Sequence, residues 1–269
     1  LFKDGDQEYL YVSEPQQISR FAYDPAGPLG AQEAVVSGLP TGGHHTRTVR
    51  FGPDGMMYLA VGSSCNICVE EDPIRATVSR MTPQGGNPEI LATGLRNPVD
   101  LAFQPGTDLL WATVNERDNQ GNELPPDLVT IVQEGANYGW PSCQPPGATP
   151  QDAGADCSNI TPPTIGIQPH SAPLGMTFLS GDAVPADLSG DLIVAQHGAW
   201  NRLPPESRPA TRGVATGGRP VAAASRSPAG TRGTSRAGRP ARRPPSGMTG
   251  GPRRTAAGWQ ARGGCTRLK

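Results

Sequence analysis

From Leu1 to about Arg202 the apolar residues alternate with polar ones in short runs separated by Gly, Pro, Asn and Asp, and helical periodicity is almost absent. Tyr9 and Tyr11 alternate with Leu10 and Val12, and Ile18 and Phe21 follow a polar turn, so residues 8–21 predict a hairpin. Residues 49–62 (VRFGPDGMMYLAVG) predict a second, with Val49 and Phe51 before the turn Gly52-Pro53-Asp54-Gly55 and Tyr58 and Ala60 after it. Residues 76–92 supply outer strands around a Gly-Gly turn. In residues 94–127 an Arg-Asn-Pro turn feeds an alternating strand, a tight turn and another strand, and this unit closes near Val132 at the polar bend QEGANYGWP. Met176 to Val194 predicts one more strand pair. The chain reads as all-β.

These units repeat. A strand-ending phenylalanine recurs at Phe51, Phe103 and Phe178, at separations of roughly 50 to 75 residues that suit propeller blades with insertions better than short solenoid repeats. Before each of these strands stand polar residues: His44-His45, Arg96-Asn97 and His170. Functional groups at the same end of a repeated antiparallel unit point to a β-propeller with a site at its central mouth. Three or four units are legible, and a propeller closes by packing its last blade on its first, so the reading expects an incomplete set.

Charge divides the chain. Residues 1–202 carry 9 basic against 23 acidic side chains, whereas the segment beyond Leu203 holds 13 Arg and Lys269 against Glu206. The whole-chain net charge of −1 therefore hides two segments of opposite sign. No apolar run is long enough to span a bilayer as a helix. No leader is visible in LFKDGDQEYLYVSEP, which already resembles the inside of a strand pair, so the reading expects the natural beginning to lie upstream. Of five cysteines, Cys65 and Cys68 form a C-x-x-C, Cys143 and Cys157 bracket a Pro/Gly-rich loop, and Cys265 stands alone. Two local pairs suggest disulfides in an oxidising compartment, with connectivity left open.

Several constellations carry candidate chemistry. His44 beside His45 reads either as a surface pair or as a general base. Arg96 is either a solvated charge or an anion-binding fork. Zinc on Cys65, Cys68 and the histidines lacks a second ligand knuckle, and a redox C-x-x-C lacks its βαβ context. Glu116, Asp118, Glu123 and Asp127, with nearby carbonyls, make either a solvated acidic loop or an oxygen-rich calcium environment.

The phrases GGHHTRTVRFGPDG, VGSSCNIC, GLRNPVDLAF, NYGWPSC, HSAPLGMTF and GDLIVAQHGAWNR together resemble the glucose/sorbosone dehydrogenase family, over residues 7–202. The resemblance implies a six-bladed β-propeller, here lacking an N-terminal blade and aberrant in its C-terminal part. It implies a soluble, periplasmic or secreted quinoprotein that uses pyrroloquinoline quinone and calcium. Such an enzyme oxidises an aldose or sugar aldehyde by hydride transfer and passes electrons to an acceptor that remains to be identified. By the same resemblance His44 is the catalytic base, and Arg96 and Asn97 contact the cofactor's carboxylate and quinone oxygens. The backbone around Glu116 and Arg117 holds the cofactor's calcium, Asp127 and Tyr138 belong to a second calcium loop, and His170, Trp200 and Asn201 line the mouth. Some positions depart from the family pattern. Gly43 stands where glucose-active members carry an acid beside the base, Val114 and Glu116 replace an acid and a glycine, and Leu128 replaces an acid.

Residues 1–203 are accordingly expected to be the partial propeller, and 204–269 a basic Arg/Pro/Gly-rich tail, disordered or read out of frame after Arg202. Apart from Trp259 no aromatic interleaves its arginines, so no nucleic-acid partner is expected. The alternative functional reading is a non-catalytic propeller that serves as a binding module, or an inactive fragment.

Overall fold

The computed structural model describes residues 1–145, 149–150, 154–202 and 264–268. No helix occurs among them, so the all-β expectation holds. The first sheet is β1 (Phe2–Asp4), β2 (Gln7–Ser13), β3 (Ile18–Tyr23) and β4 (Gln32–Val36), in chain order. The second is β5 (Arg47–Phe51), β6 (Met57–Val61), β7 (Thr77–Met81) and β8 (Glu89–Thr93), to which β12 (Ala136–Asn137) adds in parallel along β8. The third comprises β9 (Pro98–Phe103), β10 (Leu110–Val114), β11 (Asp127–Ile131) and β15 (Ile165–Ile167). The fourth joins β16 (Pro173–Phe178), β17 (Leu192–Gln196) and β18 (Gly264–Leu268). A ribbon of β13 (Cys143–Gln144) and β14 (Thr149–Pro150) stands apart.

The run MMYLAV is continuously apolar because β6 is buried on both faces. Met57, Leu59 and Val61 face a layer that includes Ile18 and Leu39 from the first sheet and its connection, while Tyr58 and Ala60 face Leu101, Leu110 and Ala112 of the third. The same alternation sends Leu128 of β11 into that second layer and its neighbour Val129 into another with Met176, Leu192 and Val194. Period-two side-chain direction thus feeds two apolar layers from one strand.

The recurring phenylalanines explain the repeat. Each ends the first site-bearing strand of its sheet and meets edge-on an aromatic from the second strand of the preceding sheet. Phe51 meets Tyr11 with ring centroids 4.7 Å apart, Phe103 meets Tyr58 at 5.1 Å, and Phe178 meets Trp111 at 6.2 Å. Such edge-to-face pairs add about 0.5–1.5 kcal/mol beyond area burial. Polar ties run between the same strands: buried Asp100 of β9 accepts from Arg50 of β5 at 2.6 Å and from the Met176 amide of β16 at 2.8 Å.

The two local cysteine pairs are disulfides, Cys65–Cys68 and Cys143–Cys157. The zinc reading fails on this point, since the sulfurs are bonded to each other. Leu128, where an acid was expected, is a fully buried core residue. Of the segment 204–269, only 264–268 lies among the described residues, as β18 paired antiparallel with β17; the rest of that expectation lies outside them.

Candidate functional site

The entries to β5, β9 and β16 gather at one end of the sheets because pairing continues past each strand. The amide of His44 donates to Ser63 O (2.9 Å), that of Asn115 to Asn97 O (3.0 Å), and that of His197 to Ala172 O (3.0 Å). Ser63 N also donates to Arg96 O at 2.8 Å, which joins the second sheet to the third. A cavity of ≈ 240 Å³ opens there and brings together His44, Arg96, Asn97, Glu116, Asp127, His170, Trp200 and Asn201, all expected from the sequence, with Asn115 and Asp118. Arg117 and Tyr138 do not join them.

His44 sits on a loop gripped by two buried arginines that sequence reading missed. Arg75 donates to the carbonyls of Thr41 (2.6 Å), Gly42 (3.0 Å) and Gly62 (3.1 Å), and Arg47 to those of Pro40 (2.6 Å), His44 (3.0 Å) and Thr46 (2.9 Å). Gly43 has φ +59°, and a Cβ there would lie 2.4 Å from Ser64 Cα, so no acid fits beside His44 in this chain. Ser63 orients the imidazole instead. His44 Nδ1 lies 3.0 Å from both the carbonyl oxygen and the hydroxyl of Ser63. A carbonyl only accepts, so Nδ1 carries the proton and Nε2 keeps its lone pair. Burial first, and the charge of Arg96 second, push the His44 pKa down to about 4. The imidazole is therefore neutral across the physiological range.

The guanidinium of Arg96 is buried and saturated. Nε donates to Asn66 O (3.1 Å), Nη1 to Glu116 O (2.7 Å) and Asn115 O (3.3 Å), and Nη2 to Asn66 Oδ1 (2.9 Å) and Asp118 Oδ2 (3.0 Å). Arg96 brings charge to the cavity, yet each of its donors already has a protein acceptor. Other lining residues differ: their side-chain oxygens Asn97 Oδ1, Asn115 Oδ1, Glu116 Oε1 and Asn201 Oδ1 are buried without a hydrogen-bond partner.

Glu116 is fully buried against Arg117 at 2.7 Å, and Arg117 spends its other contacts on the carbonyls of Pro141 (2.9 Å) and Cys143 (2.6 Å). Burial outweighs the ion pair on both partners, raising the Glu116 pKa to about 7 and lowering that of Arg117 below the usual arginine range. Glu116 has no positive φ, so the missing glycine leaves no backbone strain at that turn. Asp127 accepts from the amides of Glu116 and Ala172, both at 2.8 Å, and burial raises its pKa to about 6 against those hydrogen bonds. Tyr138 is elsewhere: its hydroxyl bonds the carbonyl of Ile131 and the amide of Gln133, and its ring belongs to the core between the second and third sheets. Tyr138 therefore gives its side chain to the core and not to the cavity that Asp127 lines. Across the mouth, His170 (φ +58°) gives Nε2–H to Gly121 O at 2.7 Å, Asn201 donates to Asp118 Oδ1 at 2.9 Å, and Trp200 is 73% exposed.

Stacked β-sheets that share apolar layers and collect a histidine, an arginine and acidic side chains at one end define an enzyme-like all-β scaffold. A family model described as TrAA12-like matches residues 2–208, and the chain belongs to that family. It is 30% identical to the aldose sugar dehydrogenase YliI of Escherichia coli K12 over 118 residues, 38% of this chain and 30% of that protein. It is 29% identical to a pyrroloquinoline quinone-dependent pyranose dehydrogenase of Coprinopsis cinerea over 236 residues, 68% of this chain and 32% of that protein. The chain thus spans roughly a third of the length of these relatives. In fold it is like the Trichoderma reesei Carbohydrate-Active Enzymes Family AA12 structure, with a TM-score of 0.61 at 18% identity over 74% of this chain and 61% of that one. It is also like the apo form of the soluble aldose sugar dehydrogenase from Escherichia coli, with a TM-score of 0.55 at 20% identity over 73% and 60% of the two chains. The resemblance to sugar dehydrogenases drawn from the sequence phrases is borne out.

Proposed function

We propose that the four sheets are blades of a six-bladed β-propeller, and that its mouth oxidises an aldose or sugar aldehyde with pyrroloquinoline quinone and calcium. The observation that carries this reading is a neutral His44 with a free Nε2 in the same cavity as four orphaned oxygens. A hard cation takes several oxygen ligands, and the orphaned oxygens with Asp118 and Asp127 suit calcium. Among the described residues that line the cavity, Arg96 is the one Lys or Arg beside the acids Glu116, Asp118 and Asp127, with Arg117 paired to Glu116 from outside it, so the anionic quinone fits once a cation is present.

When bound, the quinone supplies the hydride acceptor and calcium a Lewis acid. The chain's own residues do the rest. His44 Nε2 takes the proton of the hydroxyl on the carbon being oxidised, and Ser63 holds the ring so that Nδ1–H stays fixed. Arg96 stabilises negative charge nearby through its field, since its donors are occupied. Trp200 offers an apolar face at the rim on which a sugar ring can lie. We assign residues 1–203 to this propeller, a boundary supported by the family match ending at residue 208, and 204–269 to a basic tail whose residues 264–268 add β18 to the fourth sheet. The two disulfides support a periplasmic or secreted setting.

The test titrates the purified chain with calcium and then pyrroloquinoline quinone, following tryptophan fluorescence and aldose-dependent dye reduction. Calcium-dependent quinone binding is expected. Absence of quinone binding at saturating calcium overturns the reading.

A further inference from the structure

The turn closed by the Cys65–Cys68 disulfide reaches both His44, through Ser63, and Arg96, through Asn66. Cys65 O accepts the Ser63 hydroxyl proton at 2.7 Å. With that proton committed, Ser63 Oγ can only accept from His44 Nδ1, as its carbonyl also must. The next residue, Asn66, holds Arg96 through its own carbonyl and side-chain oxygens, and it further bonds the amide (2.9 Å) and carbonyl (3.0 Å) of Asp118. Its carbonyl also accepts from Trp140 Nε1 at 3.0 Å, which ties the turn to the far side of the third sheet's connection. Ser64 packs against Gly43, leaving no room for a side chain there. Four consecutive residues thus face the base loop on one side and the arginine on the other.

We propose that this disulfide-closed turn is a positioning element: through Ser63 it selects the Nδ1–H tautomer of His44, and through Asn66 it fixes the guanidinium of Arg96. The physical reason is that a short closed turn presents the Cys65 and Asn66 carbonyls in fixed directions, and a hydroxyl proton follows the acceptor offered to it. The proposal rests on the reading of His44 as the base, yet its His44 signature lies in the chain without cofactor, so that half stands or falls separately from quinone binding.

The experiment is nitrogen-15 NMR on the four histidines of the full chain, comparing wild type with Ser63→Ala, Cys65→Ser/Cys68→Ser and Asn66→Ala. In wild type His44 shows a protonated Nδ1 and an unprotonated Nε2. Ser63→Ala, which keeps the Ser63 carbonyl and removes the second acceptor, and the cysteine double variant move both His44 nitrogens part of the way toward a tautomer average, leaving His45, His170 and His197 in place. Asn66→Ala leaves the His44 nitrogens alone and weakens calcium-dependent quinone binding by roughly tenfold, about 1.4 kcal/mol. If His44 keeps its wild-type resonances in Ser63→Ala and in a folded double variant, the proposal is wrong. If the double variant loses its sheet signal, Ser63→Ala, which removes one hydroxyl and leaves the disulfide intact, decides on the same criterion.

Discussion

Two sets of polar groups lining the cavity differ in how their atoms are satisfied. In the set of His44 and Arg96 the guanidinium donors are all taken and the imidazole Nδ1 is held twice. In the set of Asn97, Asn115, Glu116 and Asn201, side-chain oxygens are buried and orphaned. An unpaired buried polar atom costs about 1–3 kcal/mol, so the second set gains from something that donates or coordinates, while the first needs nothing to keep its shape. On the proposed reading the first set serves proton transfer and the second ligand capture.

The contrast can be broken most sharply at His44. His44→Ala should lower kcat for aldose oxidation by roughly 10²–10⁴-fold and leave calcium and quinone binding within about twofold, measured by dye reduction and calorimetry. A parallel loss of binding would merge the two sets into one. Next in size, saturating calcium should stabilise the apo chain by about 2.7 kcal/mol at about a hundredfold excess over Kd, a rise in melting temperature of roughly 5–10 °C. A melting curve indifferent to calcium counts against the orphaned oxygens as a cation site.

Asn201→Ala removes one orphaned oxygen and should weaken calcium by about tenfold, with the His44 resonances unmoved. The smallest effect is invisible at neutral pH. Because the His44 pKa is lowered to about 4, the ring stays neutral and able to accept a proton at every pH above that value. NMR titration should then show His44 taking up its proton only as the pH falls through about 4, rather than near the ordinary 6.5. A midpoint near 6.5 would show the imidazole to be solvated.

Much of the framework is legible in the residues. Alternation over 8–21 and 49–62, Asp54-Gly55 turn chemistry and the spacing of Phe51, Phe103 and Phe178 are local consequences of strand geometry, and each corresponds to an observed strand, turn or edge-to-face contact. The polar residues before the strands could also be picked out, since His44, Arg96, Asn97 and His170 stand at equivalent entries and do converge. Tyr138 was assigned to a calcium loop by resemblance. Nothing near it in the chain reveals that its hydroxyl is used up by Ile131 and Gln133 in the core.

Sequence alone determined the β character of this chain, its main strand pairs and which polar residues precede them, because a strand's period-two pattern and its turns are set within a few residues; that β12 joins the second sheet and β15 extends the third beyond Val132 was not legible there. The tertiary structure alone decided which of those groups are free to act. Ser63, Asn66 and Arg75 look like ordinary loop residues until their partners, drawn from other strands and loops of the fold, come within hydrogen-bonding distance. Whether an atom is saturated or orphaned depends on long-range neighbours, and no local pattern encodes it.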